Sequence, residues 1–363
     1  MQVKFVDLGR QYQDLRSEIL DTVDKVFNSG WYVLGPNLEK FEEKFAEYCG
    51  VKHAIGVGTG SDALYLILAS LGIGPGDEVI TAPNSFVASA AAVDRTGATT
   101  VFCDVGEDMN LDPSKLEEAL TERTKVVMPV HLTGRIAKME QISQFVKRHG
   151  LLLVEDAAQA VGAKQNEKRA GSFGVAAGFS LHPLKNLFVH GDGGMITTNS
   201  SDLASHIREF RNHGLRNRDE AGFWGINSRL DEVQAAVALI KLKHLDHWNA
   251  RNREIAKAYS KALKDFVKVP EEEANEIGVY HRYMIRTNQR EELAEFLLSH
   301  EVETKVNYPI PLHLMTASNK LETCSYPMCE QLSKTILSLP IYPTMTDQEV
   351  HWVISKVKQF FCK

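Results

Sequence analysis

A chain of 363 residues is too long for one comfortable hydrophobic core, so two packed lobes, or one large α/β domain with an appendage, are expected. Hydrophobic residues make up 44% and charged residues 24%, as in an ordinary globular protein, and a net charge of −6 gives no reason to expect nucleic acid or an anionic membrane surface as a partner. No apolar run reaches the roughly 18 residues of a membrane span, and the start, MQVKFVDLGRQYQDL, shows no secretory signal, so a cytoplasmic protein is expected.

The first predicted element is a helix around residues 11–28. HAIGV (53–57) reads as a short apolar strand, followed by a helix over SDALYLILASLG (61–72) with Ser61 as N-cap and Gly72 at the stop. EVITA (78–82) is the next strand and SFVASAAAVDRTG the next helix. TVFCDV (100–105), TKVVMPV (124–130) and LLLVED (151–156) follow as strands, with helices such as ISQFVKRHG (142–150) between them. Short apolar strands alternating with helices predict a mostly parallel sheet covered on both faces. Beyond about residue 200 the pattern changes. DLASHIREFRNHG and the long run from LDEVQAA to KALKDF read as helices, VYHRYMIRT (279–287) as a strand, and EELAEFLLSH and TDQEVHWVISKVKQFF as helices. A large unit over 1–249 and a smaller C-terminal α/β unit over 250–363 are therefore expected.

The five cysteines are irregularly spaced, and reduced structural thiols are expected rather than a disulfide framework or a zinc site. HLDH (244–247) reads as a solvated helix face.

Three segments carry candidate chemistry. In GFSLHPLKNLFVHGDGG (178–194), Lys185 sits among Pro183, Leu184, Asn186 and Leu187, which are not surface-like as a group. A desolvated lysine is a nucleophile toward carbonyls, whereas an ordinary lysine is a surface charge; both readings stay open. VEDAAQA (154–160) ends a buried strand at the edge where open α/β sheets place ligands, with Asp156 expected to emerge into the crevice. Capping of a following helix, with Gln159 completing a capping box, is the competing account. GVGTGSDAL (56–64) places small residues before a helix start, which suits either a phosphate or a tight turn. It is neither a Walker loop nor GxGxxG, which disfavours a dinucleotide-binding oxidoreductase.

Taken in order, GTGSDAL, NSFVAS, HLTGR, VEDAAQAVGA, FSLHPLKNL–GDGG and INSRLDEVQAA resemble the DegT/DnrJ/EryC1/StrS aminotransferases. The likeness runs from FVDLGRQY to LSLPIYPTMTDQEV and includes VYHRYMIR and YPIPLHL. It implies a type I pyridoxal phosphate (PLP) fold: a large domain with a mostly parallel, seven-stranded sheet and a smaller C-terminal α/β domain. It also implies Lys185 as the Schiff-base lysine and proton shuttle, Asp156 at the pyridine nitrogen, Gln159 at the 3′-oxygen and Phe86 on the ring face. Gly60, Ser61 and Ser180 would hold the phosphate, with Asn227 from a neighbouring subunit of a homodimer and Arg229 close by. His182, Arg229, Tyr308 and His313 are candidate substrate contacts, although relatives often carry His-Tyr-Pro where this chain has Asn307, Tyr308 and Pro309. The implied reaction takes an amino group from an amino donor, usually glutamate, to a nucleotide-linked keto-sugar, and GDGG (191–194) leans toward a 3-keto sugar. A 4-keto sugar, a keto-cyclitol or a regulatory PLP-binding role are the alternatives. Retention of Lys185, where some relatives carry histidine, disfavours dehydration.

Overall fold

The computed structural model describes residues 1–319, 321 and 324–362. Helix α1 (Leu8–Ser29) starts where the Asp7 carboxylate accepts from the Arg10 N–H and stops at Gly30 in the left-handed region. Helix α2 (Pro36–Cys49) has no side-chain cap of its own. The buried Glu232 carboxylate supplies one, accepting from the N–H groups of Gly35, Asn37 and Leu38 at 3.0, 3.0 and 2.8 Å. That gives the acid of LDEVQAA a structural role, with a negative charge at the positive end of a helix.

Then come β1 (His53–Val57), α3 (Gly60–Ser70), β2 (Glu78–Thr81), α4 (Val87–Thr96), β3 (Thr99–Phe102), α5 (Leu116–Ala119), β4 (Thr124–Met128), α6 (Met139–His149) and β5 (Leu152–Asp156). Short strands β6 (Lys164–Gln165) and β7 (Lys168–Arg169) precede β8 (Ala176–Ser180), β9 (Gly194–Thr198), α7 (Ser201–Phe210) and α8 (Glu232–Leu263). The rest is β10 (Glu276–Ile277), β11 (Tyr283–Arg286), α9 (Arg290–Ser299), α10 (Pro327–Thr335), β12 (Ile336–Leu339) and α11 (Asp347–Phe361).

The main sheet has seven strands in the order β1-β9-β8-β5-β4-β2-β3. All neighbours are parallel except β9, which runs antiparallel to both β1 and β8. Successive strand residues point to opposite faces, and here the two faces feed two cores. Val126, Met128 and Val154 join one with the apolar faces of α3 and α4, while Val127 and Leu153 join the other with α2 and α6. A third core gathers Ile255, Tyr259 and Leu263 of α8 with Tyr283, Leu297, Leu337 and Val353, and Val3 from the N-terminus joins it. Position 249/250 lies inside α8, whose first half packs Ala235, Ala238 and Leu245 into the α2/α6 core.

Three elements differ from the sequence expectation. Helix α3 is capped by Thr59 rather than Ser61, because extended Thr59 accepts the Asp62 N–H at 2.9 Å. The strand expected over 100–105 stops at Phe102, where Asp104 turns away to accept the Met328 and Cys329 N–H groups that start α10. Only Tyr283–Arg286 of 279–287 is strand, because Val279 and Arg282 give their N–H groups to the Gly134 and Thr133 carbonyls. All five cysteines are free thiols, and His244 of HLDH stacks on Trp248. Among the described residues no helix is long and apolar enough to cross a membrane.

Lys241 of α8 is 2% exposed, and its Nζ has no hydrogen-bond partner among the described residues. It lies 3.3 Å from the centre of the Phe188 ring, whose face offsets part of the cost of burying a cation. Desolvation lowers its ammonium to about 7. The unfolded chain keeps that proton up to about pH 10.4, so unfolding takes up a proton between about 7 and 10.4 and stability rises with pH across that window. Lys241→Met should stabilise the fold at pH 7 by roughly 2–4 kcal/mol and remove about one proton's worth of that pH dependence. Denaturant unfolding at pH 6, 8 and 10 checks both.

Candidate active site

The carboxyl ends of β5 and β8 and the start of α3 meet at one edge of the sheet. The acid pair of β5 separates there by pleat alone. Glu155 points into the α2/α6 side and is fully buried, accepting the N–H groups of Gly171, Phe173 and Gly174 and facing His131 Nε2 at 3.0 Å. His131 Nδ1 accepts the Ala137 N–H, so Nε2 carries the proton and donates it to Glu155. Asp156 takes the other face, 4% exposed, with Oδ2 accepting the Ser89 hydroxyl at 2.6 Å and Oδ1 the Ala158 N–H at 3.2 Å.

No helix follows Asp156, so the capping account fails: residues 157–163 are turns. Gln159 caps nothing either. Its Oε1 accepts the N–H of Thr133 at 2.9 Å. Thr133 holds φ 63°, a costly conformation for a β-branched residue, in the HLTGR segment.

Lys185 is half-buried in the loop after β8, its N–H bonded to the His182 carbonyl. Burial, reinforced by the Arg282 guanidinium and opposed by Asp156, lowers its ammonium to about 8. Arg282 is buried, lowered by desolvation to about 10, and donates to the His281 carbonyl at 2.9 Å. His281 is buried beside Arg282, Lys185 and His182, and burial holds it neutral well below the ordinary imidazole range. Tyr308 is raised by burial and lies within electrostatic reach of Arg282 and Asp156 and beside Gln159. Its ring sits 5.7 Å from Phe86, which is 51% exposed at the start of α4. The fold thus brings Lys185, Asp156, Gln159, Phe86, Tyr308 and His182 to one place.

The start of α3 closes the site. A Cβ on Gly60 would stand 2.7 Å from the Ser180 Cβ, and one on Gly194 would stand 2.2 Å from the Thr59 carbonyl oxygen. Only glycine permits these approaches, so the last glycine of GDGG has a packing reason of its own. Ser61 is exposed on the first turn of α3. Ser228 ties INSRL to this helix, accepting the Gly58 N–H at 2.9 Å and donating to Asp62 at 2.7 Å. Its neighbour Asn227 is exposed, and Arg229 donates to Asn212 at 3.0 Å.

The exposed His182 accepts the Leu184 N–H at its Nδ1. His313 lies elsewhere: its side chain is 5% exposed, 3.3 Å from Glu330 and against the rings of Tyr326 and Phe102. A cleft of about 300 Å³ abuts the cluster at Thr133 and Arg282, and a pocket of about 40 Å³ lies behind Lys185, walled by Asn252, His281 and Tyr342. Sequence reasoning passed over Ser89, Thr133, His281 and Arg282. Each lies in a segment already singled out, NSFVAS, HLTGR or VYHRYMIR, but on a position to which no role was given.

On a sheet of this order, a weakened lysine facing a buried aspartate beside an open helix N-terminus defines the class: an aminotransferase that works with pyridoxal 5′-phosphate. The chain belongs to the DegT/DnrJ/EryC1/StrS aminotransferase family, whose profile matches residues 13–358. It is 43% identical, over 99% of both chains, to the dTDP-3-amino-3,6-dideoxy-alpha-D-galactopyranose transaminase of Aneurinibacillus thermoaerophilus. It is equally 43% identical, over 99% of both chains, to a protein of Geobacillus stearothermophilus named pleiotropic regulatory protein. The crystal structure of S. venezuelae DesV in complex with a ketimine intermediate matches with a TM-score of 0.98 at 42% identity, covering 100% of this chain and 99% of that one.

The residues present suit the cofactor. Gly60, the first residue of α3, carries no Cβ and packs closely on Ser180, at a helix start of the kind that receives a phosphate. Asp156 offers a carboxylate, Phe86 an exposed ring, and Lys185 an amine that sheds its proton near neutral pH.

Proposed function

We propose that this enzyme transfers the amino group of L-glutamate to a nucleotide-linked keto-sugar, at a 3-keto carbon, in amino-sugar biosynthesis, and that it works in the cytoplasm as a homodimer with shared sites. The observation that carries the reading is Lys185, half-buried, lowered to about 8 and set opposite Asp156. The sugar-nucleotide transaminase named above, alike over nearly its whole length, supports the substrate class.

When bound, pyridoxal phosphate supplies the carbonyl carbon that carries the amino group and the ring that takes up the electrons of the broken Cα–H bond. Lys185 Nζ is its covalent anchor and, once displaced, moves the proton between Cα and C4′. Asp156 holds a proton on the ring nitrogen. Gln159, its Oε1 fixed by Thr133, presents its amide to the 3′-oxygen. Phe86 covers the ring face. Gly60, Ser61 and Ser180 take the phosphate, and Asn227 reaches the site of a second copy. His182, Tyr308 and Arg229 face the sugar side, whereas His313, enclosed by Phe102, Tyr326 and Glu330, packs. The division into a cofactor unit over 1–249 and a smaller unit over 250–363 fits this arrangement, with α8 as the shared spine.

A regulatory reading rests on the name of the Geobacillus relative. The two readings separate in one experiment. The purified PLP-loaded protein should lose its visible band on addition of L-glutamate and regain it on addition of a dTDP-linked 3-keto-6-deoxyhexose. Failure with every amino donor would favour the regulatory role. Recovery only with a 4-keto sugar or a keto-cyclitol would move the substrate, and a monomeric active species would rule out sharing through Asn227.

A further inference from the structure

The side chains that hold Asp156 reach it from a different part of the chain. Ser89, three residues into α4, is fully buried, and its hydroxyl donates to Asp156 Oδ2 at 2.6 Å. Ser85, 3% exposed and one helical turn earlier, lies 2.6 Å from the Ser89 oxygen. Because Ser89 gives its only proton to the carboxylate, Ser85 must donate to Ser89, so the two hydroxyls form a directed chain ending on Asp156. A short hydroxyl–carboxylate bond of this kind is charge-assisted, and chained hydrogen bonds strengthen one another in a dry interior.

We propose that Ser89, backed by Ser85, is a positioning residue for the cofactor: it fixes the plane of the Asp156 carboxylate. Phe86 and Ser89 share the first turn of α4, so the same element that presents the ring-face aromatic also aims the aspartate. Packing alone would be served as well by alanine at both serine positions. What alanine cannot supply is the bond to Oδ2, and without it the carboxylate keeps, among the described residues, one protein donor, the Ala158 N–H. The proposal rests on the assignment of Asp156 to the ring nitrogen.

A double-mutant cycle tests it. The PLP dissociation constant of the refilled apoprotein and the glutamate half-reaction are measured for wild type, Ser89→Ala, Asp156→Ala and the double variant. Loss of a hydrogen bond to a charged group should weaken PLP about 10-fold in Ser89→Ala. The rate of the half-reaction should fall with it while the KM for glutamate holds. In the Asp156→Ala background the serine substitution should have little further effect. Ser85→Ala should give a smaller loss in the same direction, and it serves as the readout if Ser89→Ala does not fold. Wild-type PLP affinity in Ser89→Ala, or an equal loss with and without Asp156, would overturn the proposal. Unchanged affinity in Asp156→Ala would instead overturn the assignment of Asp156 itself.

Discussion

Lys185→Ala should lower turnover by about 10⁴-fold or more, because the proposed function gives one side chain two tasks. As anchor, its amine must attack a carbonyl, and only the neutral form does so. Burial, with Arg282 beside it, lowers the ammonium to about 8 in the free protein, so far more of it is neutral near physiological pH than of an ordinary lysine. The rate at which apoprotein captures PLP should therefore rise with pH through about 8 and level off above it. Relieving the positive neighbour, as in Arg282→Leu, should move that midpoint upward. As proton shuttle, the lysine is better suited than its cationic neighbour, because Arg282 holds its proton to about 10. Borohydride reduction of the wild type should fix the cofactor on the peptide containing residue 185, and the variant should retain none after reduction and denaturation. Label on another lysine would sink the assignment.

Asp156→Ala should be the second most damaging change, with turnover down by about 10³-fold. The loss should appear in the step that removes the Cα proton, read as a slowed glutamate half-reaction with a primary isotope effect from 2-deuterated glutamate. Its neighbour provides the control. Glu155 is the adjacent residue of the same strand, yet it faces the other core and holds three loop N–H groups and His131. Glu155→Gln should lower stability by about 2–4 kcal/mol, because one of two buried acceptor oxygens becomes an NH2 facing donors, while cofactor binding by the folded fraction persists. Equal losses of turnover per folded molecule in both variants would refute the division of roles.

Much of this molecule was legible in the chain. The strands His53–Val57, Glu78–Thr81, Thr124–Met128 and Leu152–Asp156 lie where apolar runs bounded by turn residues predict them, because strand period and turn chemistry are local properties. The ordered motifs around Gly60, Asp156 and Lys185 pointed to the cofactor and the family because chemistry constrains residue type at the points where the chain meets a ligand. The adjacency of Glu155 and Asp156 announced an acid pair, and the two-residue period of a strand already required the two carboxylates to part company.

Asp156 was the carboxylate expected at the site from the sequence, but what holds it there was settled only in three dimensions. Ser89 precedes Asp156 by 67 residues, and no local pattern encodes a 2.6 Å bond across that separation. Likewise Glu232 caps a helix 194 residues before it, and Thr59 displaced Ser61 as cap through backbone geometry that composition does not carry. His313 belonged to a promising motif, but packing of Phe102 and Tyr326 turned it away. The sequence by itself carried the periodicities and the resemblance that implied the cofactor chemistry and pointed to the lysine. The tertiary structure alone decided the partners of each polar group, because a buried donor or acceptor is satisfied by whichever group the fold brings within about 3 Å, however far away that group lies in the chain.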